Sequence, residues 1–313
     1  APTFALLVVG RVISGIMGAS FATASAYIAD VSEPEKRSQN FGLVGAAFGL
    51  GFIIGPAIGG ILGEIGPRVP FYAAAAFSFV NWIYGMFILP ESLTPENRRQ
   101  FDLKRANPFG TFKQLAKHKV ILGLIVAMFF MYIASHAVQS TWSFFTKYQF
   151  DWSNAEIGYS LSFVGFLSAA VQGGLIRWLI PKIGQVKAVY SGMVFYFLGL
   201  ILFGYAFEGW MMYPAMVIYC LGGIAGPALQ GIMSNQLPSN EQGELQGANT
   251  SMMSATAIVG PILMTHVFAF FSGPTAPLHI PGAAMYLGAL CTLVSLVLCW
   301  RTLRSFTDTT SKS

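Results

Sequence analysis

Few residues in this chain can do chemistry, and those few sit where chemistry is costly. Arg11 stands inside the apolar stretch FALLVVGRVISGIMGA. An arginine at bilayer depth costs several kcal/mol, by scales running from about 2.5 to above 10, so it faces a partner charge or a wet cavity. The alternative is that it snorkels to the interface about two turns away. His136 and Gln139 lie about one turn apart in AMFFMYIASHAVQSTW, on one helix face. A histidine there takes up a proton near neutral pH or hydrogen-bonds a solute, and a structural hydrogen bond is the competing reading. Asn81, Gln172, Gln230 and Asn249 are amides in equally apolar surroundings. The chemistry on offer is charge pairing, proton binding and hydrogen bonding to a solute. Bond-making is not: no Ser/His/Asp set, paired-carboxylate site or metal-ligand cluster stands at that depth, and no phosphate-binding Gly-Lys-Ser/Thr loop is present. Cys220, Cys291 and Cys299 are odd in number and lie in apolar stretches, which reads as packing rather than disulfides or metal.

The elements that position these residues follow from hydropathy. Of 313 residues, 54% are hydrophobic and 10% charged, against about 25% charged in an ordinary soluble domain. The apolar residues gather into nine runs, about 3–29, 39–63, 70–89, 120–146, 156–180, 188–206, 211–234, 245–271 and 283–303. A helix of about 20 residues crosses the roughly 30 Å hydrocarbon core, so the reading is an all-α polytopic membrane protein. A β-barrel would show alternating segments of about ten residues instead. Fifteen of the eighteen Lys and Arg lie in alternate breaks and the C-terminal tail. The positive-inside rule puts that side, with the C-terminus, in the cytoplasm. The net charge of +5 reflects this bias and no basic stripe suggests nucleic acid. The chain opens abruptly at APTFALLVVG, without an initiator Met or a cleavage signal, and reads as a fragment.

The longest break, 90–118, is polar, basic and proline-containing, as expected of a linker between helical bundles. It divides a first region, 1–89 with three spans, from a six-span region, 119–304, followed by a tail, 305–313. A repeat crosses that divide. QNFGLVGAAFGLGFIIGPAIGG (39–60) aligns with ELQGANTSMMSATAIVGPILMT (244–265) at an offset of 205 residues, matching Gly42 with Gly247 and Gly55-Pro56 with Gly260-Pro261. The preceding loop aligns without a gap, Asp30 against Asn235 and Arg37 against Gln242. Both copies keep one membrane orientation, which is a parallel repeat.

GLGFIIGPAIGG (49–60) weakens its own helix with five glycines and a proline. Gly51, Gly55, Gly59 and Gly63 recur every four residues and share a face, where small side chains let helix backbones approach in lipid. Pro56 deprives one carbonyl of its helical partner and bends the chain. The simple reading is a packing surface. The longer pattern through Gly59 and Gly60, with its echo at Gly260-Pro261, points further, to a bent helix about which two bundles rock.

GRVISGIMGA, AYIAD, FGLVGAAFGLGFIIGPAIGG, PFYAAAAFSFVN, LPES, EGWMMYP, GGIAGPALQGIMS and QGELQGANTSMMSATAIVGPIL together resemble the drug:proton antiporters of the major facilitator superfamily, and within them the tetracycline-efflux branch. The resemblance covers nearly the whole chain and implies nine of the family's twelve transmembrane helices, the fourth to the twelfth. It implies export of an amphipathic drug in exchange for protons at the inner membrane of a bacterium, with a cavity near the midplane. No cofactor is implied. A proton gradient supplies the energy, and a divalent cation enters only as part of a chelated tetracycline. The partners are a small amphipathic molecule, protons and the bilayer.

The same resemblance sets Arg11 beside a proton-binding carboxylate of the first helix, and joins Asp30 and Arg37 to a charged loop whose faint second-half copy is IPKIGQVK (180–187), with Pro181 at the acidic position. Tetracycline exporters carry a titratable histidine and aspartate where this chain has Ser168 and Tyr196. The stretch alone is expected not to pump. A carrier of another small solute, such as a sugar or organic acid, and a non-transporting membrane remnant or scaffold are the alternatives.

Overall fold

A computed structural model of the chain describes residues 3–17, 24, 27, 31, 37–91, 119–236, 242–274 and 276–310. Among the described residues there is no strand. Eleven α-helices carry the argument: α1 Phe4–Ile16, α2 Arg37–Ile65, α3 Val69–Phe87, α4 Lys119–Phe150, α5 Asn154–Ala170, α6 Ile176–Ile183, α7 Gln185–Tyr205, α8 Met212–Leu221, α9 Ala225–Ser234, α10 Gln242–Ser272 and α11 Ala283–Thr310. Five segments of the described residues are long and apolar enough to cross a membrane: Val120–Phe150, Gln185–Tyr205, Gly209–Met233, Gly247–Ser272 and Ala283–Arg304. The last helix runs on to Thr310, through much of the stretch read as a tail.

Local chemistry sets the ends and breaks. Thr3 caps α1 through its hydroxyl oxygen, which accepts from the Leu6 amide at 3.3 Å. Ser153 opens α5 with a complete capping box. Its hydroxyl oxygen accepts from Glu156 N at 3.2 Å, and its own amide donates to the Glu156 carboxylate at 2.8 Å. Gly184 separates α6 from α7 at φ +80°, a conformation that suits glycine. The run read as one span over 156–180 contains a π-helical turn, Val171–Leu175. The run 211–234 contains a 3-10 turn, Gly222–Ile224, between α8 and α9. Pro56 and Pro261 both lie inside unbroken helices. Neither ring nitrogen can donate to the carbonyl four residues back.

The chain forms two compact units, residues 1–52 with 68–101, and residues 53–67 with 102–313. In the first, α3 buries none of its residues, and Phe71, Phe77 and Trp82 are open to the surroundings. In the second, α4 packs on α10 and α11, while α7 packs on α8, α9 and α11. Two apolar clusters follow one another along this bundle. One holds Leu124, Met128, Met193, Leu229, Leu245 and Met252. The other holds Trp142, Phe145, Leu200, Phe203, Met212 and Met264. Polar links cross the core: Ser295 Oγ donates to the Ala127 carbonyl at 2.7 Å and Trp142 Nε1 to Ser160 Oγ at 3.0 Å. Such bonds satisfy groups that neither lipid nor an apolar core can.

Candidate functional site

Both glycine-proline stretches stand at helix crossings of the second unit, and in each the absence of a side chain permits the approach. On the C-terminal part of α2, a Cβ on Gly60 would lie 2.7 Å from the Asn154 carbonyl oxygen and 3.0 Å from Gly158 Cα. A Cβ on Gly158 would lie 2.5 Å from the Pro56 carbonyl oxygen and 2.9 Å from Gly60 Cα. The two backbones are in direct contact, which dispersion rewards in lipid. Gly63 continues the line, its Cβ position 3.4 Å from Asn154 Cβ. The packing face therefore holds Pro56, Gly60 and Gly63, and of the expected four-residue row it keeps Gly63. Among the described residues, Gly51, Gly55 and Gly59 have nothing within 4 Å of where a Cβ would stand. Four-residue spacing identifies a row, but i, i+4, i+7 positions on either side of it serve as well.

The second crossing joins two residues singled out separately in the sequence. A Cβ on Gly260 would run into the His136 imidazole, with Cγ at 2.6 Å. His136 on α4 is half-buried against the helix position just before Pro261. Gln139, one turn on, is exposed and donates from Nε2 to Ser135 Oγ at 3.2 Å. The pair share a face in part only.

The other amides separate further. The Gln230 side chain of α9 stands beside the Tyr132 hydroxyl of α4. Asn249 on α10 is 3% exposed, and neither its amide nitrogen nor its oxygen has a hydrogen-bond partner among the described residues. A buried polar group left unmatched costs about 1–3 kcal/mol. Gln172 sits exposed in the π-helical turn, and Asn81 exposed on α3. Arg11 is exposed on α1. Asp30 lies outside the described residues. For Arg37 only the backbone, at the first position of α2, is described.

Ser168 and Tyr196 belong to a neutral, part-buried group that includes Tyr219 and Cys220. The Tyr196 and Tyr219 hydroxyls are 3.0 Å apart and their rings 4.6 Å between centroids. Ser168 Oγ lies 3.8 Å from Cys220 Sγ. Two glycines admit the rings. A Cβ on Gly222 would stand 2.6 Å from Tyr196 Cβ, and one on Gly199 would stand 2.6 Å from Tyr219 Cβ. No group here carries a charge at neutral pH. At the far end of the bundle, Asn235 Nδ2 donates to Gln185 Oε1 at 3.4 Å, while Gly231 packs beneath the Gln185 amide. The copy of the loop at 180–187 thus meets the residue aligned with Asp30, through neutral groups.

Sequence reasoning missed Tyr132, Tyr219, Gly158 and the Glu64–Ala155 contact. Only the last left a readable trace, since Ser153-Asn154-Ala155-Glu156 is a capping-box sequence. Among the described residues no group of three or more His, Cys, Asp and Glu could hold a metal ion.

Comparison with known proteins agrees with this architecture. The Major Facilitator Superfamily pattern matches residues 1–261. The class C tetracycline resistance protein of Escherichia coli is 37% identical over 290 residues, covering 92% of this chain and 73% of that protein. The class B protein of Escherichia coli is 33% identical, covering 84% and 65%. The human hippocampus abundant transcript-like protein 1 is 27% identical, covering 91% and 60%. Among solved structures, the human organic anion transporter MFSD10 (TETRAN) superposes with a TM-score of 0.66 at 22% identity, over 96% of this chain and 72% of that one, and so shares the fold. The chain is an integral, multi-pass membrane protein of the major facilitator superfamily of transporters, and belongs with the tetracycline resistance proteins.

Proposed function

We propose that the protein carrying this chain exports an amphipathic, tetracycline-like drug across a bacterial inner membrane in exchange for protons, by alternating access. The observation that carries the reading is the pair of glycine-proline crossings. Gly60 meets Gly158 at backbone distance, and Gly260 meets the His136 ring. Each proline removes one hydrogen bond from a helix held against its neighbour, a backbone at Gly60 and an imidazole at Gly260. Such a helix bends cheaply while its contact stays tight, which is what switching between two packed states requires. The tetracycline resistance proteins among the relatives supply the substrate class.

Within this reading, Arg11 holds the ionised form of a proton-binding carboxylate, and Asp30 with Arg37 latches a charged loop on the cytoplasmic side, where the C-terminus also lies. The neutral Gln185–Asn235 contact supports that geometry, since it joins the corresponding parts of the repeated half. His136, Gln139, Gln172, Gln230, Asn249 and Asn81 are the candidate drug contacts. No bound cofactor takes part, and a divalent cation arrives only with a chelated drug. The test is uptake of labelled tetracycline into inverted membrane vesicles carrying the protein, with an imposed inside-acid pH gradient. Accumulation that collapses with the gradient is expected. Uptake that is absent, or indifferent to the gradient, overturns the proposal.

A further inference from the structure

Glu64 stands in the last turn of α2, where a negative charge opposes the dipole of its own helix. The structure gives it a better neighbour. The Ala155 amide at the start of α5 donates to Glu64 Oε1 at 2.9 Å. In return, Asn154 Nδ2 donates to the Gly63 carbonyl at 3.3 Å. Each helix end thus satisfies a backbone group that the other cannot pair internally: a first-turn N–H of α5 and a last-turn C=O of α2. Ser153 Oγ already serves Glu156 N, and the Glu156 carboxylate is turned back onto Ser153. The first-turn amide of Ala155 takes a carboxylate that arrives from outside the helix. What delivers Glu64 is the Gly60–Gly158 contact one turn away, where the absence of two side chains brings the backbones together.

We infer that Glu64 is a positioning residue for transport: its carboxylate docks the end of α2 on the N-terminus of α5 and sets how readily those two ends part. The inference rests on the export reading for its role in turnover, but the latch itself is independent of any substrate. A charge-assisted bond at a helix N-terminus shifts a local opening equilibrium by roughly two- to fivefold at an exposed site, and Glu64 is exposed.

Hydrogen exchange on the purified, ligand-free protein reads this directly. Glu64→Ala is expected to raise exchange about two- to fivefold in both the 60–66 and the 152–158 peptides. Glu64→Gln, which keeps an acceptor oxygen and loses the charge, falls between. Ser153→Ala breaks the capping box without touching Glu64, and is expected to raise exchange in 152–158 alone. The latch is refuted if Glu64→Ala leaves 60–66 unchanged, or if Ser153→Ala loosens both peptides as much as Glu64→Ala does. In vesicles, Glu64→Ala is expected to change tetracycline turnover by a similar factor with KM held within about twofold. Unaltered turnover refutes the role in transport while leaving the latch. A wild-type protein that moves no tetracycline overturns the export reading instead, and the exchange result stands apart from it.

Discussion

Placing one methyl group on Gly158 examines the glycine crossing at its tightest point. An added Cβ would stand 2.5 Å from the Pro56 carbonyl oxygen, about 0.9 Å inside the 3.4 Å where ordinary contact begins. Its neighbours there are backbone atoms, which cannot rotate aside. Relief comes from parting the helices. A displacement of about 0.9 Å stretches the 2.9 Å Ala155–Glu64 bond to about 3.8 Å and the 3.3 Å Asn154–Gly63 bond to about 4.2 Å, both past hydrogen-bonding range. Two bonds at about 1 kcal/mol each net are lost. The better helix propensity of alanine returns up to about 1 kcal/mol. The net destabilisation is about 1–2 kcal/mol, or roughly 1.5–3 °C in Tm for a chain of this size. Gly51→Ala is the internal control, because nothing among the described residues lies within 4 Å of its Cβ position; it is expected to leave Tm unchanged or to raise it. Thermal unfolding of the two variants in one detergent separates the cases. Equal shifts in both, or a stable Gly158→Ala, would refute the claim that this crossing is in backbone contact.

Two further variants probe other parts of the site. Gly260→Ala drives a methyl into the His136 ring, so it is expected to destabilise by about 1–3 kcal/mol. Adding His136→Ala should recover most of that loss, giving a coupling of at least about 1 kcal/mol in a double-mutant cycle; additive effects would dismiss the contact. Asn249→Val removes an amide that has no partner among the described residues and inserts the residue found at position 44, its counterpart under the 205-residue offset. Stability is expected to rise by about 1–3 kcal/mol, while tetracycline binding measured by titration weakens. A fall in stability would mean that the amide is paired after all.

Much of the fold could be read from the sequence because lipid exposure writes itself into hydropathy. The run 188–206 matches α7 at Gln185–Tyr205, and 283–303 lies within α11. The π-helical turn at Val171–Leu175 and the 3-10 turn at Gly222–Ile224 were not readable. Hydropathy reports which solvent a residue prefers, and a change of hydrogen-bond register inside an apolar run leaves that preference untouched. The site was readable by residue type rather than by partner. Gly60, His136, Gln230 and Gly260 were all identified, yet nothing in their spacing paired Gly260 with His136 or Gln230 with Tyr132. Those pairings depend on how α4, α9 and α10 are rotated about their own axes, which is fixed by packing at residues far apart in sequence. The same rotation decided that α2 turns Gly60 and Gly63, rather than Gly51, Gly55 and Gly59, towards α5.

Proton movement coupled to drug movement tests the account at its centre. Inverted vesicles carrying the protein, loaded with a pH-sensitive dye and energised to an acid interior, are given tetracycline from outside. The account predicts that tetracycline makes the wild-type interior less acid at a rate that saturates with drug, and that Arg11→Ala vesicles, with equal protein in the membrane, show no such response. Alkalinisation of equal rate in both, or none in the wild type while labelled tetracycline still accumulates, would contradict it.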